Sequence, residues 1–200
     1  MNSELSPGQL IRARMVQAAA VMEAMQQDAA LCATVAEFSD AIIAAYRAGN
    51  KVLLCGNGGS AADSQHIAAE LVGRFYVNRA PLAAEALTVN TSTVTAVGND
   101  FSFDDIFSRQ IQALGQPGDV AIGISTSGNA ENVKRALDTA KSLGLVTVAF
   151  TGRNGGKLRE GADYCLQVPS DDTARIQEGH ITIGHIMCEL IERALFGEED

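Results

Sequence analysis

Apolar positions fall into two rhythms along this chain. Up to about Ala48 they recur at helical spacing in a background of Ala, Met, Gln and Glu, with breaks near Asp28 and Gly49, which predicts two helices. From Lys51 onward come short continuous apolar runs at 51–55, 85–89, 119–124, 145–150 and 164–168. They are separated by stretches of helical composition such as 60–75, 103–114 and 129–143, and a final helix runs from about Ala174 to Phe196. Strands buried on both faces need runs of this unalternating kind. Strands alternating with helices predict right-handed βαβ units and so an α/β fold. Its form is a five-stranded parallel sheet over residues 51–200 with helices on both faces, three-layered and flavodoxin-like, preceded by an N-terminal helical extension over 1–50. The stripes of Leu, Ile, Val and Met on that extension must be buried either on the sheet or on another subunit.

In an open parallel sheet, ligands bind beyond the carboxyl ends of the strands. Two turns at such places are rich in polar chemistry. Gly56-Asn57-Gly58-Gly59-Ser60 follows the first apolar run, Ser125-Thr126-Ser127-Gly128-Asn129 follows the third, and each opens a helix. Glycines let backbone N–H groups face a ligand, the helix N-terminus adds partial positive charge, and the hydroxyls donate further hydrogen bonds, so both turns suit phosphate. Gly56-x-Gly58-x-x-Ala61 also matches a dinucleotide fingerprint. That reading requires an acid at the end of the next strand, where the chain offers Asn90, Thr91 and Ser92, and it leaves the second turn unexplained. An ordinary N-cap accounts for the second turn taken singly.

Downstream of the first turn, His66 and Glu70 stand four residues apart, about 40° around a helix and one turn from each other. The pair can be a surface ion pair or part of a site. The last helix carries Gln177, His180 and His185. Gln177 and His185 lie within about 80° of each other, whereas His180 and His185 diverge by about 140° and do not readily share a site. Spacing does not choose between the two histidines, either of which could be a core residue bonded to a carbonyl.

With 200 residues, 46% of them hydrophobic, the chain has the size and core of one domain. A net charge of -9 without a Lys/Arg cluster argues against nucleic acid, while still allowing a pocket of backbone amides to hold a small anion. Cys32, Cys55, Cys165 and Cys188 form no CxxC pair and are expected to be buried thiols of a reducing compartment. MNSELSPGQLIRARMVQ lacks an apolar export segment and no run of 18 apolar residues occurs, so a cytoplasmic, non-membrane protein is expected.

The motifs CGNGGSAADSQHIAAEL, TAVGNDFSFDDIFSRQ, GISTSGNAENV, FTGRNGGKL and VPSDDTARIQEGHITIGHI together resemble the sugar isomerase (SIS) domain family, and within it the phosphoheptose isomerases. The resemblance runs over most of the chain. It implies conversion of D-sedoheptulose 7-phosphate to D-glycero-D-manno-heptose 7-phosphate, a step toward ADP-heptose and the lipopolysaccharide core, by a homotetramer with active sites at subunit boundaries. It places the sugar-phosphate contacts on Asn57, Gly58, Gly59, Ser60, Asn99, Asp100, Ser125, Thr126, Ser127 and Gln177, and the acid/base pair on Glu70 and His185. In zinc-containing relatives the ligands correspond to His66, Glu70, Gln177 and His185, which implies one Zn2+ per subunit. One position departs: many relatives follow STSGN with serine, and this chain has Ala130, removing one hydroxyl contact. Some SIS proteins are not enzymes but bind phosphosugars or the replication initiator. The initiator-binding branch lacks the acid and imidazole that this chain keeps at positions 70 and 185.

Overall fold

Asp28 ends one helix and begins the next. Its backbone closes α1 (Pro7–Gln27), and its side chain accepts the Ala30 and Leu31 amides at 3.0 Å to open α2 (Ala29–Arg47). The computed structural model describes residues 5–197, so residues 1–4 and 198–200 of the two expected segments lie outside the described residues. After α2 come β1 (Val52–Gly56), α3 (Gly59–Val72), β2 (Ala84–Ala86), α4 (Thr91–Asp100), a 3-10 turn (Phe103–Asp105) and α5 (Ser108–Leu114). The chain continues with β3 (Val120–Ile124), α6 (Glu131–Ser142), β4 (Val146–Gly152), α7 (Leu158–Gly161), β5 (Tyr164–Val168) and α8 (Thr173–Phe196).

All strand pairings are parallel, in the order β2-β1-β3-β4-β5. Successive strand side chains point to opposite faces, and the core divides accordingly. Val52, Leu54, Val120, Ile122, Val148 and Phe150 face a layer with α2, α3 and α8. Leu53, Cys55, Ala121 and Ala149 face a layer with α4, α5, α6 and α7. The two helices of the N-terminal extension differ in burial. In α2, Val35, Phe38, Ile42 and Ile43 are buried in the sheet core, and Phe38 packs on Phe150 with ring centroids 5.6 Å apart. In α1 only Met25 is buried, and Leu10, Ile11, Met15 and Val16 stand exposed.

Three expectations are corrected. The strand expected at 85–89 is Ala84–Ala86, and an unexpected helix, α4, begins at Thr91. Its sequence TSTVTAVGND is poor in helix formers; Asn90 supplies the start by accepting the Thr93 amide at 3.0 Å. The helix expected at 103–114 is divided between the 3-10 turn and α5. Of the four cysteines, Cys32 is exposed and Cys165 half-buried, while burial pushes the Cys55 and Cys188 thiols up to about 12. By length and composition α2 is the one helix among the described residues that could cross a membrane, at 19 residues and a mean hydropathy of 1.4. Its apolar residues named above lie within the domain core.

Because Phe38 is fully buried, Phe38→Ala is expected to cost about 3–5 kcal/mol. Chemical denaturation checks this, and an unchanged midpoint would show that α2 is dispensable to the core.

Candidate active site

β1 and β3 are neighbours, paired to their ends with Gly56 opposite Ile124. From β1 the chain reaches β2 on one side and β3 on the other, so the turns after β1 and β3 emerge side by side at the sheet's topological switch point. Among the described residues, the backbone amides of Gly58, Gly59, Thr126 and Ser127 donate to no protein acceptor, and neither do the hydroxyls of Ser60 and Thr126. Two polar cradles result. Asn57 and Asn132 join the first cradle to α6 by reciprocal amide hydrogen bonds, both 2.9 Å, so the Asn57 side chain holds the wall together. In the second, Ser127 Oγ accepts the Asn129 amide at 3.2 Å and lies 3.5 Å from Ser125 Oγ. The N-cap of α6 is Ala130, which makes no side-chain capping bond, so Ser125 and Thr126 are not the caps of that helix. A polar cavity of about 250 Å³ adjoins this turn, lined by Thr126, Ser127, Arg153, Asn154, Ser170 and Asp171 among others.

α3 and α8 pack closely in the same direction. A Cβ at Gly59 would overlap the Gln177 amide, and one at Gly184 would meet Ile67 Cδ1 at 2.8 Å. Only glycine at these two points allows the helices to approach so closely. Farther along the same contact, His185 Nε2 lies 3.1 Å from His66 Nε2, and His66 Nε2 lies 3.2 Å from Glu70 Oε1. The donor atoms of His66, Glu70 and His185 all fall within 4.8 Å of one another. The Phe75 ring stacks on His185 at 5.8 Å and 28°.

The two histidines of α8 are now distinguished. His180 is fully buried, its Nε2 lies 3.0 Å from the Thr151 carbonyl, and burial pushes its pKa down to about 4. It is a neutral core residue, and His185 is the one that meets α3.

Gln177, expected in both the substrate and the metal set, lies eight residues before His185. Its amide rests on Gly59 at the first cradle. Asn99 and Asp100 are exposed at the end of α4, hydrogen-bonded to each other at 2.8 Å. Among the described residues no hydrogen bond links them to either cradle. Sequence reasoning missed Asp63, which is buried one turn before His66 with its Oδ2 unpartnered. Burial pushes its carboxyl up, opposed by the nearby Gln177 amide and by His66. Its position three residues before His66 on one helical face was the available signal.

A parallel sheet in this order carries a glycine-rich and a serine-rich cradle at its switch point, and the family model of the SIS domain, which matches residues 15–152, sets the chain in that class. Phosphoheptose isomerase of Aquifex aeolicus is 64% identical over 151 residues, 76% of this chain and 79% of its own length. That of Burkholderia pseudomallei is 54% identical over 179 residues, 90% of this chain and 91% of its own. The structure of a phosphoheptose isomerase from Francisella tularensis superposes with a TM-score of 0.91 at 36% identity, covering 94% of this chain and 100% of that one. The chain belongs to the phosphoheptose isomerase family.

Two outcomes test the architecture of the site. Gly59→Ala is expected to cost about 1–3 kcal/mol by overpacking Gln177, and much of that should be recovered in Gly59→Ala/Gln177→Ala. Thermal melts of the two single variants and the double variant measure the coupling, and purely additive costs would refute the contact.

Between pH 6.5 and about 4 the unfolded chain takes up a proton that buried His180 refuses, so stability falls as pH falls through that window. The loss approaches about 3 kcal/mol at the lower end. The acid-side decline in Tm should therefore be shallower in His180→Gln than in the parent.

Proposed function

We propose that this chain converts D-sedoheptulose 7-phosphate to D-glycero-D-manno-heptose 7-phosphate by proton transfer through an enediolate, the first step of ADP-heptose biosynthesis. The observation that carries this reading is the meeting of Glu70 and His185 across two parallel helices, on the helix whose N-terminus forms the first cradle. Family membership supports the seven-carbon substrate.

The free amides of Gly58, Gly59, Thr126 and Ser127, with the Ser60 and Thr126 hydroxyls, suit the phosphate and nearby sugar oxygens. Ser60 and His66 are six residues apart on α3, about 9 Å of helix rise, which suits a substrate extended between phosphate and carbonyl. In the ketose, a base removes a proton from C1, the C–H electron pair forms the C1=C2 bond, and negative charge collects on the C2 oxygen. Return of a proton to C2, with a proton passing from O1 to O2, leaves the aldehyde at C1. A carboxylate and an imidazole at this separation can take and return these protons, so Glu70 and His185 form the acid/base pair.

His66, Glu70 and His185 offer two nitrogens and an oxygen converging within 4.8 Å, a donor set that fits zinc, with Gln177 as the fourth ligand by resemblance. When bound there, zinc would polarise the carbonyl and stabilise enediolate charge. The exposed apolar stripe of α1 supports a homotetramer with sites near subunit boundaries, and His66, 46% exposed, leaves room for a neighbour to complete the site. Four unpaired cysteines agree with a cytoplasmic location.

Turnover of sedoheptulose 7-phosphate by purified protein tests the reading. Glu70→Gln and His185→Ala are each expected to lower kcat at least about 10²-fold while sugar-phosphate binding persists. Full turnover in either variant would remove that residue from the pair, and tight binding without turnover in the parent would point to a phosphosugar sensor. Loss of activity after chelation and its recovery with zinc is the expected metal result.

A further inference from the structure

The segment between α3 and β2 returns to α8 through one buried ion pair. Arg79 Nε donates to Glu192 Oε2 at 2.9 Å, with only 2% and 4% of the two side chains exposed. Glu192 also accepts three backbone amides: Phe75 at 3.0 Å on Oε2, and Tyr76 and Val77 at 2.6 and 2.9 Å on Oε1. Arg79 turns its two remaining nitrogens to the end of α3. Nη2 donates to the carbonyl of Glu70 and Nη1 to that of Leu71, both at 2.9 Å. These are two of the carbonyls that a helix end leaves without an intrahelical partner.

A buried ion pair is on average no more stabilising than apolar side chains of equal volume. This one supplies direction, because it bonds the carbonyls of Glu70 and Leu71 at the end of α3 and the amide of Phe75, whose ring lies on His185. Glu192 follows His185 by seven residues, so it lies on nearly the same face of α8, about 10.5 Å farther along. Through Arg79 it holds the backbone of Glu70. Through the Phe75 amide it places the ring that stacks on His185.

We propose that Glu192 and Arg79 are positioning residues that set the separation of Glu70 from His185, with Phe75 as the arm that orients the imidazole. The inference rests on Glu70 and His185 being the acid/base pair. Both side chains of the clamp are buried and bonded within the protein, so neither is placed to hold substrate. The clamp therefore governs the rate of proton transfer rather than the grip on phosphate, which belongs to the cradles at the other end of α3.

The test uses the full chain with Glu192→Gln and Arg79→Lys, near-isosteric changes that each remove some of the directed bonds, together with Phe75→Leu and Phe75→Tyr. In variants shown by thermal melting to be folded, kcat should fall about tenfold to a hundredfold while KM stays within about twofold. Calorimetric zinc affinity of the metal-free chain should also fall, by about tenfold or more, because the geometry of the same donors is disturbed. Phe75→Leu should reproduce part of the kcat loss and Phe75→Tyr should retain the parental rate. Unchanged kcat in folded Glu192→Gln overturns the proposal. If both clamp variants fail to fold, Phe75→Leu, at a half-buried position, decides alone: a parental kcat there overturns it. A Glu70→Gln control that keeps its turnover would instead strike the acid/base reading beneath it, so the two failures are distinguishable.

Discussion

The close parallel packing of α3 on α8 is the constraint on which the rest of the site depends. Helices that carry large side chains at every facing position are held apart by them. Here Gly59 and Gly184 remove two such side chains, and the Gln177 amide and Ile67 occupy the space. The consequence appears along the same seam, where an imidazole from each helix and a carboxylate from α3 come within hydrogen-bonding reach. A site assembled from two helices is sensitive to their spacing in a way that a loop site is not. That sensitivity explains why the contact is flanked by ordered groups: His180 bonded to the Thr151 carbonyl on one side and the Arg79–Glu192 pair on the other.

The sheet provides the second half of the arrangement. Because β1 and β3 lie next to each other and their connections leave in opposite directions, the turns that follow them are adjacent without either having to extend. The first of these turns is also the start of α3. One helix thus links the first cradle at its N-terminus to Glu70 nearly three turns later, and its orientation against the sheet fixes both.

Much of this was legible in the chain. Strands buried on both faces give uninterrupted apolar runs, and the strand at 164–168 coincides with β5. Glycine, serine and threonine clustered after the first and third runs marked the cradles. What escaped was set by tertiary contacts. The β-branched run at 91–97 has weak helix propensity of its own, and Asn90 with the packing of Val97 makes it α4. His180 and His185 are the same residue type on one helix, and their separation into core and site depends on which face α3 covers. Asp63 went unnoticed because an acid in an early helical turn is ordinary, and only its burial makes it otherwise. The resemblance to a known family supplied residue roles that spacing alone left open, although Asn57 uses its side chain to bind Asn132 and Gln177 rests on Gly59.

The reciprocal Asn57–Asn132 bridge has a thermodynamic meaning. Two amides that satisfy each other in both directions tie the turn after β1 to the first turn of α6, so the cradle is ordered when the domain folds. Any anion reaching it would meet donors already in place. The conformational entropy that a flexible phosphate loop would lose on binding has been lost beforehand, and the interaction energy of those donors goes into affinity and orientation instead.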